Sequence, residues 1–243
     1  MNNKLIVAWR NTLTRIWTPV AILELIDNEY HFSYTNGAKV ENFVPFGLMQ
    51  NKTKTYVSKE LFPIFKNRLL AKSRPEYNDY LDWLDIDKEN NNDFLELAKT
   101  RGIRVTDEIQ LFQTPEINKN NEYEITFFAH GLSHMLEEYV ERLARLKEND
   151  RLVILKDIQN EFDSNALLIA TSDDPIELLG YFPAFLCKDI NRLLIINGNS
   201  SVQLTVYKIN KTAPKQLKLL CKLKTKWPEN FKPFDSDDFK KYN

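Results

Sequence analysis

The sequence predicts an α+β protein of two small domains, the second a barrel-like sheet with two helices, and three observations carry this reading. The chain has 243 residues, more than the roughly 100–150 of one typical domain. A polar joint, Gln113 to Asn121, breaks it near the middle with Pro115, Asn118, Asn120 and Asn121. Beyond the joint, five or six short apolar runs with two helical stretches between them suit a small curved sheet. The expected domains are residues 1–115 and 122–235.

Ahead of the joint, Leu5–Trp9, Val20–Leu25 and Tyr30–Tyr34 read as strands, the third stopping at Asn36-Gly37. A helix is expected over Ser58–Leu70, from its capping serine and the spacing of Leu61, Ile64 or Phe65, and Leu69. Two more are expected over Pro75–Leu84 and Asn92–Thr100, with Gly102 closing the last. The acidic, Asn-rich run Asp85–Asp93 reads as a loop within this domain. Behind the joint, Glu124–Ala129 reads as a strand and Met135–Leu146 as an amphipathic helix with Leu136, Tyr139, Val140, Leu143 and Leu146 on one side. Strands follow at Leu152–Lys156, Ala166–Ala170 and Leu178–Phe182, then a helix opened by Pro183 and running to about Ile195. The last two strands are placed at Val202–Tyr207 and Gln216–Lys226.

Charge and composition exclude several classes of protein. With 33 Lys plus Arg against 34 Asp plus Glu, the chain is not a bulk polyelectrolyte binder. No apolar run approaches the ~18 residues that span a bilayer, and the apolar stretch after Lys4 ends within five residues, too short for a signal peptide. A cytosolic location without membrane attachment is expected, and the excess of lysine over arginine, with abundant asparagine, hints at an AT-rich bacterial or phage genome. Cys187 and Cys221 sit in apolar surroundings, where buried free thiols are expected and neither a disulfide framework nor a cysteine zinc site can form. No nucleophile motif, phosphate loop or zinc signature is present, so the chain is expected to be non-catalytic and to need no cofactor. His130 and His134 are four apart, but Gly131 between them at a strand end argues against a helical metal pair.

Two features bear on binding. Asn160-Glu161-Phe162-Asp163-Ser164-Asn165-Ala166 lies between two apolar strands. Asx residues at this density build a tight turn by bonding their own backbone. Alternatively, Phe162 stacks on a base while Asn160 and Asp163 bond sugar hydroxyls or base edges. The second feature is a charge bias: from Ile190 to Pro228 there is no acidic residue, while Arg192, Lys208, Lys211, Lys215, Lys218, Lys222, Lys224 and Lys226 are basic. In the last strand Lys218, Lys222 and Lys224 fall on the face opposite Leu217, Leu219, Cys221 and Leu223. Such a row either keeps an edge strand from aggregating or tracks a phosphate backbone.

These residues bring a family into view. From about Glu122 to Pro233 the chain resembles the HIRAN domain, a module found alone in bacteria and fused to chromatin-remodelling helicases in eukaryotes. The landmarks are Gly131-Leu132 after the first strand, the Asn160-x-Phe162-Asp163-x-Asn165-Ala166 turn, and Gly180-Tyr181-Phe182-Pro183 opening the second helix. The resemblance implies an OB-like β-barrel that binds DNA, in its end-binding members at the 3′-hydroxyl of a single strand. It implies that Asn160, Phe162 and Asp163 form the loop that stacks on the terminal nucleotide and meets its hydroxyl, with Gly131 beside the pocket. Ser133 and His134 stand where end-binding members carry Arg-Tyr, and Phe162 replaces a tyrosine. His134 can still stack on a base, so nucleic-acid binding survives this departure better than 3′-end selectivity does.

In the first half, Leu61-Phe62-Pro63-x-Phe65-x-Asn67-Arg68-Leu69-Leu70 followed by Arg74-Pro75-Glu76-Tyr77 resembles the N-terminal subdomain of HipA-type toxin kinases. The kinase core is missing, which implies an interaction or regulatory surface for a protein partner rather than phosphotransfer. The sequence thus supports a non-catalytic DNA-binding protein that recognises single-stranded ends or a distorted duplex, against a toxin–antitoxin or defence regulator in which the barrel is a scaffold.

Overall fold

The computed structural model describes residues 3–104, 108–132 and 141–243. Two compact units emerge, residues 1–114 with 234–243 and residues 115–233.

The first unit is built on a five-stranded antiparallel sheet. Its strands are β1 (Lys4–Arg10), β2 (Trp17–Ile26), β3 (Glu29–Tyr34), β4 (Tyr56–Ser58) and β5 (Ile109–Gln113), in the order β4-β3-β2-β1-β5. The first three match the expected strands, each an apolar run whose burial is continuous, over Leu5–Ala8, Val20–Leu23 and Phe32–Tyr34. An aromatic cluster fills the core. Phe32 meets Tyr34, Phe46, Tyr56, Phe62 and Phe65 at ring separations of 5.0–6.4 Å. Buried Tyr34 donates its hydroxyl to the Met49 carbonyl at 2.8 Å and accepts from the Phe46 amide at 2.7 Å, so one side chain pins the loop after Phe43. Burial pushes that hydroxyl up to about 12, keeping it a proton donor.

The helix expected over Ser58–Leu70 is a single turn, α1 (Pro63–Lys66). Proline fixes its own φ and drives the preceding residue out of the helical region. Phe62 accordingly has φ −54° and ψ 138°, and Tyr56–Ser58 is free to pair with β3. α2 (Tyr77–Trp83) and α3 (Asp93–Thr100) fall where expected. Asn92 caps α3 by accepting from the Leu95 amide at 2.8 Å, and Arg101 ends it at φ 60°. β5 replaces the loop expected around Gln113, closing the β1 edge. The segment Phe234–Asn243 returns to this unit. Thr35 bridges Lys241, the Tyr242 amide donates to the Tyr34 carbonyl at 3.0 Å, and the Phe234 ring meets Phe112 at 5.3 Å. Phe234 and Asp235 therefore lie with the first unit rather than at the end of the second.

The second unit contains β6 (Glu122–Phe128), β7 (Arg151–Lys156), β8 (Leu167–Thr171), β9 (Leu178–Tyr181), α4 (Ala184–Asn197), β10 (Gln203–Ile209) and β11 (Leu219–Lys226). All strand pairs are antiparallel, in the order β6-β11-β10-β7-β8-β9. A bridge between His130, just past β6, and Tyr181 of β9 joins the two ends of this order. The sheet therefore curls into a barrel-like ring, the mixed helix-and-sheet architecture expected for this half. Leu217 belongs to a 3-10 turn, Lys215–Leu217, and not to the last strand. The helix expected over Met135–Leu146 lies largely outside the described residues, which resume at Glu141 and include a 3-10 turn over Leu143–Arg145. Cys187 and Cys221 are free and buried as expected. Desolvation pushes the Cys187 thiol up to about 12 and raises Cys221 as well, which leaves both unreactive in the folded state.

Candidate nucleic-acid interface

The ring closes at a seam that two glycines make possible. His130 and Tyr181 exchange backbone hydrogen bonds of 2.8 and 2.9 Å. Gly180 has φ 138°, and a Cβ there would lie 2.6 Å from the His130 carbonyl oxygen. Gly131 has φ 73°, and a Cβ there would sit 3.0 Å from the Tyr181 ring. Glycine is required at the first position and favoured at the second because an L side chain meets both the strained φ and the opposing atoms.

From the seam, Tyr181 reaches the loop between β7 and β8. Its hydroxyl donates to Asp157 Oδ2 at 3.0 Å. Burial, and then this hydrogen bond to the carboxylate, raise the Tyr181 pKa and hold it protonated. The same Asp157 oxygen accepts from Asn160 Nδ2 at 3.1 Å. Asn160 Oδ1 then accepts from the amides of Phe162 (3.1 Å) and Asp163 (2.9 Å), and Asp163 Oδ1 from the Asn165 amide (2.8 Å). Asn191 of α4 fastens the far side by donating to the Asn165 carbonyl at 2.9 Å.

The turn and aromatic readings of this motif therefore describe different atoms of one loop. Asn160 is occupied in holding the backbone, whereas Phe162 is 73 % exposed. Asp163 is half-buried beside it, and among the described residues no hydrogen bond reaches its Oδ2. An exposed ring on a backbone fixed by side-chain bonds has the geometry for stacking, and an adjacent carboxylate oxygen has the chemistry to accept from a hydroxyl.

The lysines are placed differently. β11 lies inside the sheet between β6 and β10, so its lysines do not guard an edge. Lys222 pairs with Glu124 and Lys224 with Glu122, each at 3.0 Å, both acids being on the neighbouring β6. Lys222 also lies 5.7 Å from the Tyr207 ring centroid. The Glu122 carboxyl is held below the usual range by the hydrogen bond from Lys224 and then by Asn118. Lys218 sits at the other end of the strand, next to Leu219, whose carbonyl accepts from the Ala129 amide, and its ammonium donates to the Lys211 carbonyl at 2.9 Å.

The structure thus joins Gly131, Asn160, Phe162 and Asp163 through the Tyr181–Asp157 link, whereas Lys222 and Lys224 are engaged by the acids of β6. His134 and Ser133 lie outside the described residues. Sequence reasoning missed Asp157 and the hydroxyl of Tyr181 as parts of this site. The Gly180-Tyr181 landmark and the acid directly after β7 were the available signals. Among the described residues no group of three or more His, Cys, Asp and Glu side chains is placed to hold a metal ion, and no helix is long and apolar enough to cross a membrane.

Comparison with known proteins bears on the second unit. Residues 122–228 match the HIRAN domain. A crystal structure of a structural-genomics target from Lactobacillus plantarum is 15% identical over 43% of this chain and 98% of its own length, with a TM-score of 0.31. No curated protein matches the chain.

Proposed function

We propose that this protein, carrying a HIRAN domain at residues 122–228, is a non-catalytic binder of single-stranded DNA ends. In this reading the barrel is OB-like, Phe162 stacks on the terminal base, and Asp163 Oδ2 accepts from the terminal hydroxyl. The supporting observation is the loop itself: four side-chain-to-backbone or side-chain bonds from Asn160 and Asp163 fix the backbone on either side of an exposed ring. Preorganisation of this kind lowers the ordering cost of binding. Gly131 keeps the Tyr181 side open, and Lys218, at the β6–β11 end of the barrel, is the lysine of the row best placed to meet a phosphate.

The test is fluorescence anisotropy with matched oligonucleotides ending in a 3′-hydroxyl, a 3′-phosphate or a duplex, at near-physiological salt. Preference for the 3′-hydroxyl strand, lost in D163A, supports the end-binding pocket. Equal binding of all three ends removes end selectivity. No binding at tens of micromolar removes the nucleic-acid reading and favours a regulatory module acting through proteins. The first unit, with its HipA-like helix region, is proposed as a protein-interaction surface.

A further inference from the structure

Among the described residues, the second unit holds a strand edge left largely unpaired, which the nucleic-acid reading does not use. Along one side β7 pairs with β8 from Leu152 to Lys156, but along the other it meets β10 only at Arg151 and Leu152. The Asp157 amide donates to the Ala166 carbonyl and the Val206 amide to the Asp150 carbonyl. Antiparallel pairing alternates the side to which successive residues turn their backbone groups. This phase sends the N–H and C=O of Ile154 and Lys156 away from β8, into a groove of about 640 Å³ between β7 and α4. Proteins normally cover such an edge or blunt it.

The groove has its own chemistry. Leu152, Ile154, Leu194 and Ile195 give it an apolar lining, and Ile195 is 83 % exposed. Exposed Arg151 and Lys156 mark the two ends of β7, and neither is ion-paired among the described residues. Among the described residues its lining contains no acidic side chain and no aromatic ring. Without a ring there is no surface for bases to stack on, so the features fit a peptide better than a nucleic acid. We propose that the groove takes an extended acidic peptide of a partner protein, which adds as a strand to the free edge of β7. Ile154 and Lys156 supply main-chain hydrogen bonds, alternate apolar side chains enter between β7 and α4, and the peptide's carboxylates meet Arg151 and Lys156.

The experiment is a titration of the full chain with a labelled eight-residue peptide that alternates glutamate with valine, beside two matched peptides. One carries lysine for glutamate, and the other is N-methylated at alternate amides. The acidic peptide should bind at least tenfold more tightly than either. In R151E/K156E the preference between acidic and basic peptides should reverse. Equal binding of the acidic and basic peptides overturns the proposal, as does indifference to N-methylation, which is read on the unaltered protein and so does not depend on the variant folding. Displacement of the peptide by an oligothymidylate would also overturn it, by assigning the groove to nucleic acid. None of the peptide outcomes depends on the Phe162 loop, so failure here leaves the end-binding reading intact.

Discussion

The loop at residues 157–165 and the lysine row of β11 both suggest a nucleic-acid contact on sequence, and they differ in how their polar groups are used. In the loop, Asn160 and Asp163 spend hydrogen bonds on the backbone beside an aromatic ring that is largely exposed. In the strand, Lys222 and Lys224 are neutralised by Glu124 and Glu122. A local cluster of one charge sign is a weak guide to a binding face until the neighbouring strand is known. Polar residues that tie down their own backbone are a stronger one.

The largest expected effect comes from breaking the seam that holds the loop's anchor. G180A places a Cβ 2.6 Å from the His130 carbonyl oxygen at φ 138°, which should destabilise the protein by on the order of 3 kcal/mol. Denaturant unfolding followed by fluorescence measures it, and an unchanged midpoint would show that the ring does not need this closure. Next, F162A should weaken binding of a single-stranded oligonucleotide about tenfold, since one stacked base is worth roughly 1–3 kcal/mol. Its stability should stay within about 0.5 kcal/mol because the ring is exposed.

Y181F removes the hydroxyl that reaches Asp157 and should cost about 1 kcal/mol of stability, with a smaller loss of oligonucleotide affinity as the loop loosens. The lysine row gives a gain instead of a loss. E122Q/E124Q frees Lys222 and Lys224, so affinity should rise a few-fold at low salt and the log–log salt slope should steepen by about 1.4 for two added single-strand phosphate contacts. K222A/K224A alone should change affinity less than about twofold. Should the alanine pair instead abolish binding, the loop would lose its place as the primary contact.

Acid supplies the smallest effect. Because the folded Glu122 pKa is lowered, its contribution is complete above the ordinary carboxylate range and is lost as pH falls through the lowered folded value. Lys224 is then released, and oligonucleotide affinity should rise modestly below about pH 4 and not above pH 5. An affinity that climbs between pH 5 and 7 would point to a different group.

Much of this architecture was legible in the sequence because a short apolar run bounded by turn residues is a local signal. β1 to β3 and most strands of the second unit could be placed from it. The Ser58–Leu70 region was misread because its apolar spacing is helical while Pro63 forbids a helix before it. β4 and β5 are short and borrow their order from β3 and β1. In the site, the Asx turn was legible because its bonds span two or three residues. The Tyr181–Asp157 link and the lysine–glutamate pairs were not, because they depend on distant register. A slip of one residue between β6 and β11 would move Glu122 and Glu124 to the opposite face.

The return of Phe234–Asn243 to the first unit sets the order of events during synthesis. Residues that complete the first unit, with their bonds to Tyr34 and Asn36, are made only after all of residues 115–233. At about 5–20 residues per second, that interval is on the order of ten seconds. The unit translated first is thus the last to be finished. Throughout the wait its Tyr34–Asn36 edge is bare, a window in which a chaperone or a binding partner can reach a surface that the mature protein covers.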